Sequence, residues 1–182
     1  KQQVSAEQVE GFDSMLALSE YDHMESLDAF QKGWIQVQDI SSALVGELAA
    51  PEKGSYIIDV CAAPGGKSLH LADKMEGTGC VEARDLTYQK VALIEENASR
   101  MGALNIKAVQ WDATEFDPES ENKADLVIAD LPCSGLGIIG RKPDIKYHTT
   151  KENLRELSKL QKEILSVVWK YVKPGGRLIY ST

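Results

Sequence analysis

The stretch Tyr56-Ile57-Ile58-Asp59-Val60-Cys61-Ala62-Ala63-Pro64-Gly65-Gly66-Lys67-Ser68 decides how this chain is read. An apolar run, Tyr56 to Val60, has the length and composition of a buried strand. A turn of small residues follows, and a helical pattern takes over from Lys67 to Lys74. Strand, tight turn and helix in that order form the opening unit of an α/β domain.

The alternation continues downstream. Gly79 to Arg84 reads as a second strand, and Thr87 caps a helix that runs to Met101 with Gly102 as its stop. Ile106 to Gln110 and Asp125 to Ala129 are the third and fourth strands. Thr149 and Glu152 have the spacing of a capping box, and the helix behind them carries leucines as far as Val172. Pro174-Gly175-Gly176 then turns the chain into a fifth strand, Arg177 to Ser181. Upstream, Ala6 to Ser19 reads as an amphipathic helix, Gly33 to Gln38 as a strand, and Asp39 as the N-cap of a helix to Ala49. Five strands alternating with helices predict a parallel, doubly wound sheet. Ligands in such sheets bind at the carboxyl ends of the strands, near the point where strand order reverses.

Composition narrows the class. The chain has 182 residues and a formal net charge of -8. No apolar run reaches the roughly 18 residues of a membrane span, and the polar start lacks a signal peptide. Cys61, Cys80 and Cys133 show no CxxC spacing, which speaks against a zinc site and for a reducing, cytoplasmic setting. An acidic balance is unusual for a nucleic-acid binder; it is reconciled if basic residues cluster locally. Arg141, Lys142 and Lys146, with Tyr147 and His148, form such a cluster.

Four groups of residues follow successive strands: Cys61-Ala62-Ala63-Pro64-Gly65-Gly66-Lys67, Asp85, Asp112, and Asp130-Leu131-Pro132-Cys133. The small-residue turn lacks G-x-G-x-x-G, and Cys61 stands where a P-loop has its first glycine. A nucleoside-bearing ligand over the loop, or a tight turn without ligand, are the readings left. An acid after the second strand suits ribose hydroxyls. Acidic groups attract a sulfonium and an ammonium but repel a triphosphate, which favours S-adenosylmethionine over ATP. Pro132 restricts Leu131 and holds Cys133 in an extended loop.

Together, Gly33-Trp34-Ile35-Gln36-Val37-Gln38-Asp39, the run from Asp59 to Ser68, the run from Ala129 to Gly137, Arg141 to Tyr147 and Pro174 to Thr182 resemble the RNA 5-methylcytosine methyltransferase family, most closely its bacterial small-subunit ribosomal RNA branch. The resemblance implies a Rossmann-like S-adenosylmethionine-dependent fold, cut after the fifth strand, with residues 1–32 a remnant of an N-terminal helical RNA-binding subdomain and 33–182 the core. It implies cofactor contacts from Cys61, Ala62, Ala63, Pro64, Gly65, Gly66, Lys67, Asp85, Asp112 and Asp130. Lys67 and Asp130 are implied to lie near the target base, and Cys133 to assist release of the product. The implied nucleophile is a cysteine directly after Thr182, so the chain as given is expected to be inactive. RNA is the expected partner, without metal or membrane. The intact enzyme is expected to be a monomer, with edge-strand association open to this chain. A methyltransferase on another substrate, a nucleotide-triphosphate binder and a non-catalytic RNA-binding domain are the competing classes.

Overall fold

The computed structural model describes residues 4–140, 144 and 149–182. The chain forms two compact units, Lys1–Gln36 and Val37–Thr182.

The first unit is not the helix expected at its start. Ser5–Gln8 (β1) and Leu16–Ser19 (β2) pair as an antiparallel hairpin with Ser5 opposite Ser19. The intended helix contains Gly11 at φ +83° followed by Phe12-Asp13-Ser14, and such turn chemistry outweighs a weak helical period. A short helix, Asp28–Gln31 (α1), follows. Gly33 and Trp34, read as the start of a strand, instead close α1: Gly33 N donates to Phe30 O and Trp34 N to Ala29 O. Gly33 has φ +70°, the left-handed turn that ends helices. No strand forms over 33–38.

The second unit opens with Ile40–Ala49 (α2), with Asp39 at its N-cap. Then come Tyr56–Asp59 (β3), Gly66–Lys74 (α3), Cys80–Asp85 (β4), Tyr88–Met101 (α4), Ile106–Gln110 (β5), Ala124–Asp130 (β6), Lys151–Val168 (α5) and Val172–Ser181 (β7). The cap of α5 sits one residue later than the Thr149–Glu152 spacing suggests: Thr150 Oγ1 accepts from Asn153 N. Pro174-Gly175-Gly176 does not separate two elements either. It is an irregularity within β7, because pairing jumps from Ala124–Val172 to Leu126–Arg177. A Cβ on Gly176 would stand 2.9 Å from the Ala124 and Asp125 carbonyls, so only glycine passes there.

The sheet is parallel in the order β5-β4-β3-β6-β7. The chain runs outward from β3 through β4 to β5, then returns to the other side of β3. The C-terminal ends of β3 and β6 therefore flank the topological switch point. Alternating side chains feed two cores. Ile57, Val81, Leu126 and Ile128 pack with Val45 of α2 and Leu71 of α3, while Ile58, Val60, Val127 and Ala129 pack with Ile164 and Val168 of α5. Both faces are covered, which is why these strands are almost uniformly apolar.

Apart from the aspartates that end β3 and β4, the buried charges on these strands are Glu82 and Arg84 of β4. Arg84 lies between the rings of Trp111 and Tyr171, 5.5 and 5.4 Å from their centroids, and its guanidinium bridges Glu82, Asp117 and Ser120. This network anchors the 111–121 loop beside the sheet.

Candidate active site

The turn after β3 is held from beneath. Ala62 N donates to Arg84 O at 2.8 Å, Ala63 N to Asp85 Oδ2 at 3.0 Å, and Gly65 N to Ala62 O at 2.7 Å. The Ala63–Pro64 peptide is cis, and Gly65 stands at φ +104°, a conformation that glycine adopts without strain. The turn delivers the chain into α3 at Gly66, where a Cβ would meet open space.

Asp85 is nearly buried and already holds protein groups: Oδ2 accepts from Ala63 N, Oδ1 from Leu86 N, and Lys90 Nζ lies 3.0 Å from Oδ1. It supports the turn from the end of β4. The rim beside it is apolar, since Leu86 is exposed. The end of β5 is laced to it through Trp111 N to Asp85 O and Gln110 Nε2 to Leu86 O. This brings Asp112 into the next position. Asp112 Oδ1 accepts from Thr114 N and Oγ1, an Asx turn that orients the carboxylate.

Across the switch point, Lys67 Nζ donates to Asp130 Oδ2 at 2.7 Å and to Ser42 Oγ at 3.1 Å. Ser181 Oγ donates to Asp130 Oδ1 at 2.6 Å. The register explains this, because Asp130 and Ser181 are partners on β6 and β7. Both oxygens of Asp130 thus have a donor, and one proton of the Lys67 ammonium remains after its two bonds. Ser42 and Ser181 were not singled out from sequence. A serine on a helix, or one closing a strand, carries no signal until the partners are known.

Asp59 lies below this pair, fully buried, with Oδ2 accepting from Ser68 Oγ at 2.7 Å and Oδ1 without a partner among the described residues. Burial pushes its carboxyl up to about 7, against the hydrogen bond from Ser68, with Asp130 adding to the rise. Burial also pushes the Cys61 thiol up to about 12, reinforced by Asp59 and Asp85, so Cys61 is held as a neutral thiol. Cys133 differs: it is exposed in the loop after β6, next to Pro132, whose carbonyl accepts from Gln161 Nε2. The basic cluster Arg141, Lys142, Lys146, Tyr147 and His148 lies outside the described residues.

A group of carboxylates at the ends of four parallel strands, with Lys67 on Asp130 and Lys90 on Asp85, fits a cationic, ribose-bearing ligand. Fold and site together define a Rossmann-like fold of the S-adenosylmethionine-dependent methyltransferase class.

Comparison with known proteins narrows the class. The family described as 16S rRNA methyltransferase RsmB/F matches residues 47–182, and the chain belongs to it. It is 43% identical over 154 residues to the probable ribosomal RNA small subunit methyltransferase B of Bacillus subtilis, covering 84% of this chain and 34% of that protein. Among solved structures it superposes on PH0851 with a TM-score of 0.92 at 34% identity, over 97% of this chain and 40% of that one. The structure of NSun6 from Pyrococcus horikoshii with SFG gives a TM-score of 0.80 at 32% identity, over 88% and 41% of the two chains. The chain spans about a third of the length of the curated relatives it matches.

Proposed function

We propose that this chain is the cofactor-binding and base-orienting part of an S-adenosylmethionine-dependent cytosine-C5 methyltransferase acting on small-subunit ribosomal RNA. The observation that carries the reading is the Lys67–Asp130 pair at the switch point, beside the small-residue turn that leads into α3. Membership of the RsmB/F family supports the RNA substrate, and the likeness to NSun6, solved with an analogue of the methyl donor, supports the cofactor.

S-adenosylmethionine, when bound, supplies a methyl group activated by a sulfonium. Cys61 to Lys67 form the wall along which it lies, with the backbone of Ala62, Ala63, Pro64, Gly65 and Gly66 in place of bulky side chains. Asp85 takes the ribose hydroxyls with the lone pairs left after Ala63, Leu86 and Lys90 are served. Asp112 takes the adenine amino group, and Asp130 meets both the donor and the base.

C5 of cytosine is a weak nucleophile. A thiolate adding to C6 would turn the ring into an enamine, and bound S-adenosylmethionine would supply the methyl group to C5, its methyl C–S bond breaking to leave S-adenosylhomocysteine. The C5 proton leaves to a base, and the thiol is expelled as the C5–C6 double bond re-forms. Asp130, hydrogen-bonded by Lys67 and Ser181, receives the protonated edge of the cytosine. In the family pattern the attacking thiolate follows Thr182, and Cys133 assists its release. Cys61, kept neutral, takes no part as a nucleophile. The base must leave a stack to reach this rim, so the target lies in a loop or is flipped out.

Calorimetric titration of residues 1–182 with S-adenosylmethionine, and with ATP and magnesium, tests the cofactor half. Binding of the methyl donor alone is expected; binding of ATP alone overturns it. Transfer of labelled methyl from S-adenosylmethionine to cytosine C5 of small-subunit RNA by the intact protein tests the rest.

A further inference from the structure

Gln161 lies on α5, between Leu160 and Lys162, in a helix whose visible purpose is to cover the sheet with Ile164 and Val168. Its side chain reaches the rim instead. Gln161 Nε2 donates to Pro132 O at 2.8 Å and to Thr182 Oγ1 at 3.1 Å. Its Oε1 accepts from Tyr180 Oη at 3.1 Å. A carbonyl only accepts, so the contact with Pro132 settles which end of the amide is nitrogen. Both amide protons and the carbonyl are then used at once, on three residues from two separate segments. A single planar group is spanning the loop that follows β6 and the end of β7.

These two segments carry Cys133 and Thr182. The backbone between them is joined by one further bond, Leu131 N to Ser181 O at 3.0 Å. Beyond Leu131 the loop is exposed at Pro132 and Cys133 and has no strand to pair with. Among the described residues, the other ties between this loop and the end of β7 are Leu131 N to Ser181 O and Ser181 Oγ to Asp130, and both lie before Pro132.

We propose that Gln161 is a positioning residue: its amide fixes the distance between the Cys133 loop and the C-terminal end of β7, and so the geometry in which the two thiols of the reaction meet the base. This rests on the function proposed above, in which one thiol follows Thr182 and the other is Cys133. Gln161 touches neither the turn Cys61–Lys67 nor Asp85 or Asp112. Its effect therefore falls on catalysis and not on cofactor binding.

The test separates hydrogen bonding from bulk. Gln161→Met keeps the length of the side chain and loses both donors and the acceptor. Gln161→Glu keeps the acceptor and loses the donors. In residues 1–182, amide hydrogen exchange at Leu131 is expected to quicken about tenfold or more in both variants, while Ile58 and Val127 in the core keep their rates. In the intact protein, kcat for RNA methylation is expected to fall about tenfold with the KM for S-adenosylmethionine unchanged. Leu131 exchanging at the parental rate in both variants overturns the proposal. So does a loss confined to cofactor KM, or a kcat at the parental level. If the unaltered intact protein methylates no RNA, the proposed function fails, and the exchange rates still decide whether Gln161 ties the two segments.

Discussion

Asp130 receives Lys67 Nζ on one oxygen at 2.7 Å and Ser181 Oγ on the other at 2.6 Å. Three strands' worth of chain meet in that carboxylate: Lys67 follows β3, Asp130 ends β6 and Ser181 ends β7. The pair is only partly open to solvent. Replacing Lys67 with Met leaves the carboxylate without its cation and is expected to cost about 1–3 kcal/mol in urea denaturation. Asp130→Asn costs a similar amount, and the double variant costs less than the sum, because the two act through one bond. Methylation by the intact protein falls by at least about a hundredfold in either single variant. Ser181→Ala has a smaller effect, and Ser181→Thr restores it.

Asp59 makes stability depend on pH in the direction opposite to most carboxylates. Its folded value, about 7, lies above the ordinary 3.8, so the native state holds a proton that the unfolded chain has given up. The favourable contribution is complete below the unfolded value and is lost as pH rises through about 7. Asp59→Asn is expected to flatten this fall between pH 4 and pH 8 in thermal melts. A bound cation favours the ionised form, so S-adenosylmethionine binds more tightly at pH 8 than at pH 6. The asparagine variant loses that difference in calorimetry.

The Arg84 network acts at the acid end. Burial opposes ionisation of Glu82, but hydrogen bonds from Lys107 and Arg84 win and leave its carboxyl below the usual range. For Asp117 burial is likewise outweighed, by Ser120 and Arg84. A depressed carboxylate stabilises the fold above its unfolded value and loses that contribution as pH falls through its folded one. Arg84→Met removes the cation shared by both acids, leaving Glu82 with Lys107 and Asp117 with Ser120, and is expected to destabilise by about 3 kcal/mol at neutral pH. The loss shrinks on acidification as the acids take up protons, which denaturation at pH 7 and pH 3 would reveal.

Asp85→Ala removes the acceptor for Ala63 N as well as the rim carboxylate. Affinity for S-adenosylmethionine is expected to drop about 10- to 100-fold, the worth of charge-assisted hydrogen bonds. Asp85→Asn, which keeps one acceptor for the turn, falls between the two in calorimetry.

The parallel core was legible because its signals are local and repeated. Ile57-Ile58, Val81 and Leu126-Val127-Ile128 are strands buried on both faces, and Thr87 and Gly102 bracket α4 as written. The acids after β4, β5 and β6 stand where strand ends put them. The N-terminal hairpin was not legible: β1 and β2 are largely exposed, so no apolar pattern favours strand over helix there. Gly33-Trp34 looked extended, although the bonds to Phe30 and Ala29 that define it are helix-closing. Ser42, Ser181 and Gln161 were silent for another reason. Each acquires meaning only from partners 25, 51, 29 or 21 positions away.

The irregularity at Pro174–Gly176 counts residues. Between the pairs Ala124–Val172 and Leu126–Arg177 the chain advances two places on β6 and five on β7, an odd surplus. Side chains alternate along a strand, so the parity of that surplus decides which of Tyr180, Ser181 and Thr182 faces Asp130. Lengthening or shortening this surface turn by one residue would exchange their places without altering a single residue of the site. A one-residue insertion there would thus act as an active-site lesion, although it lies outside the site.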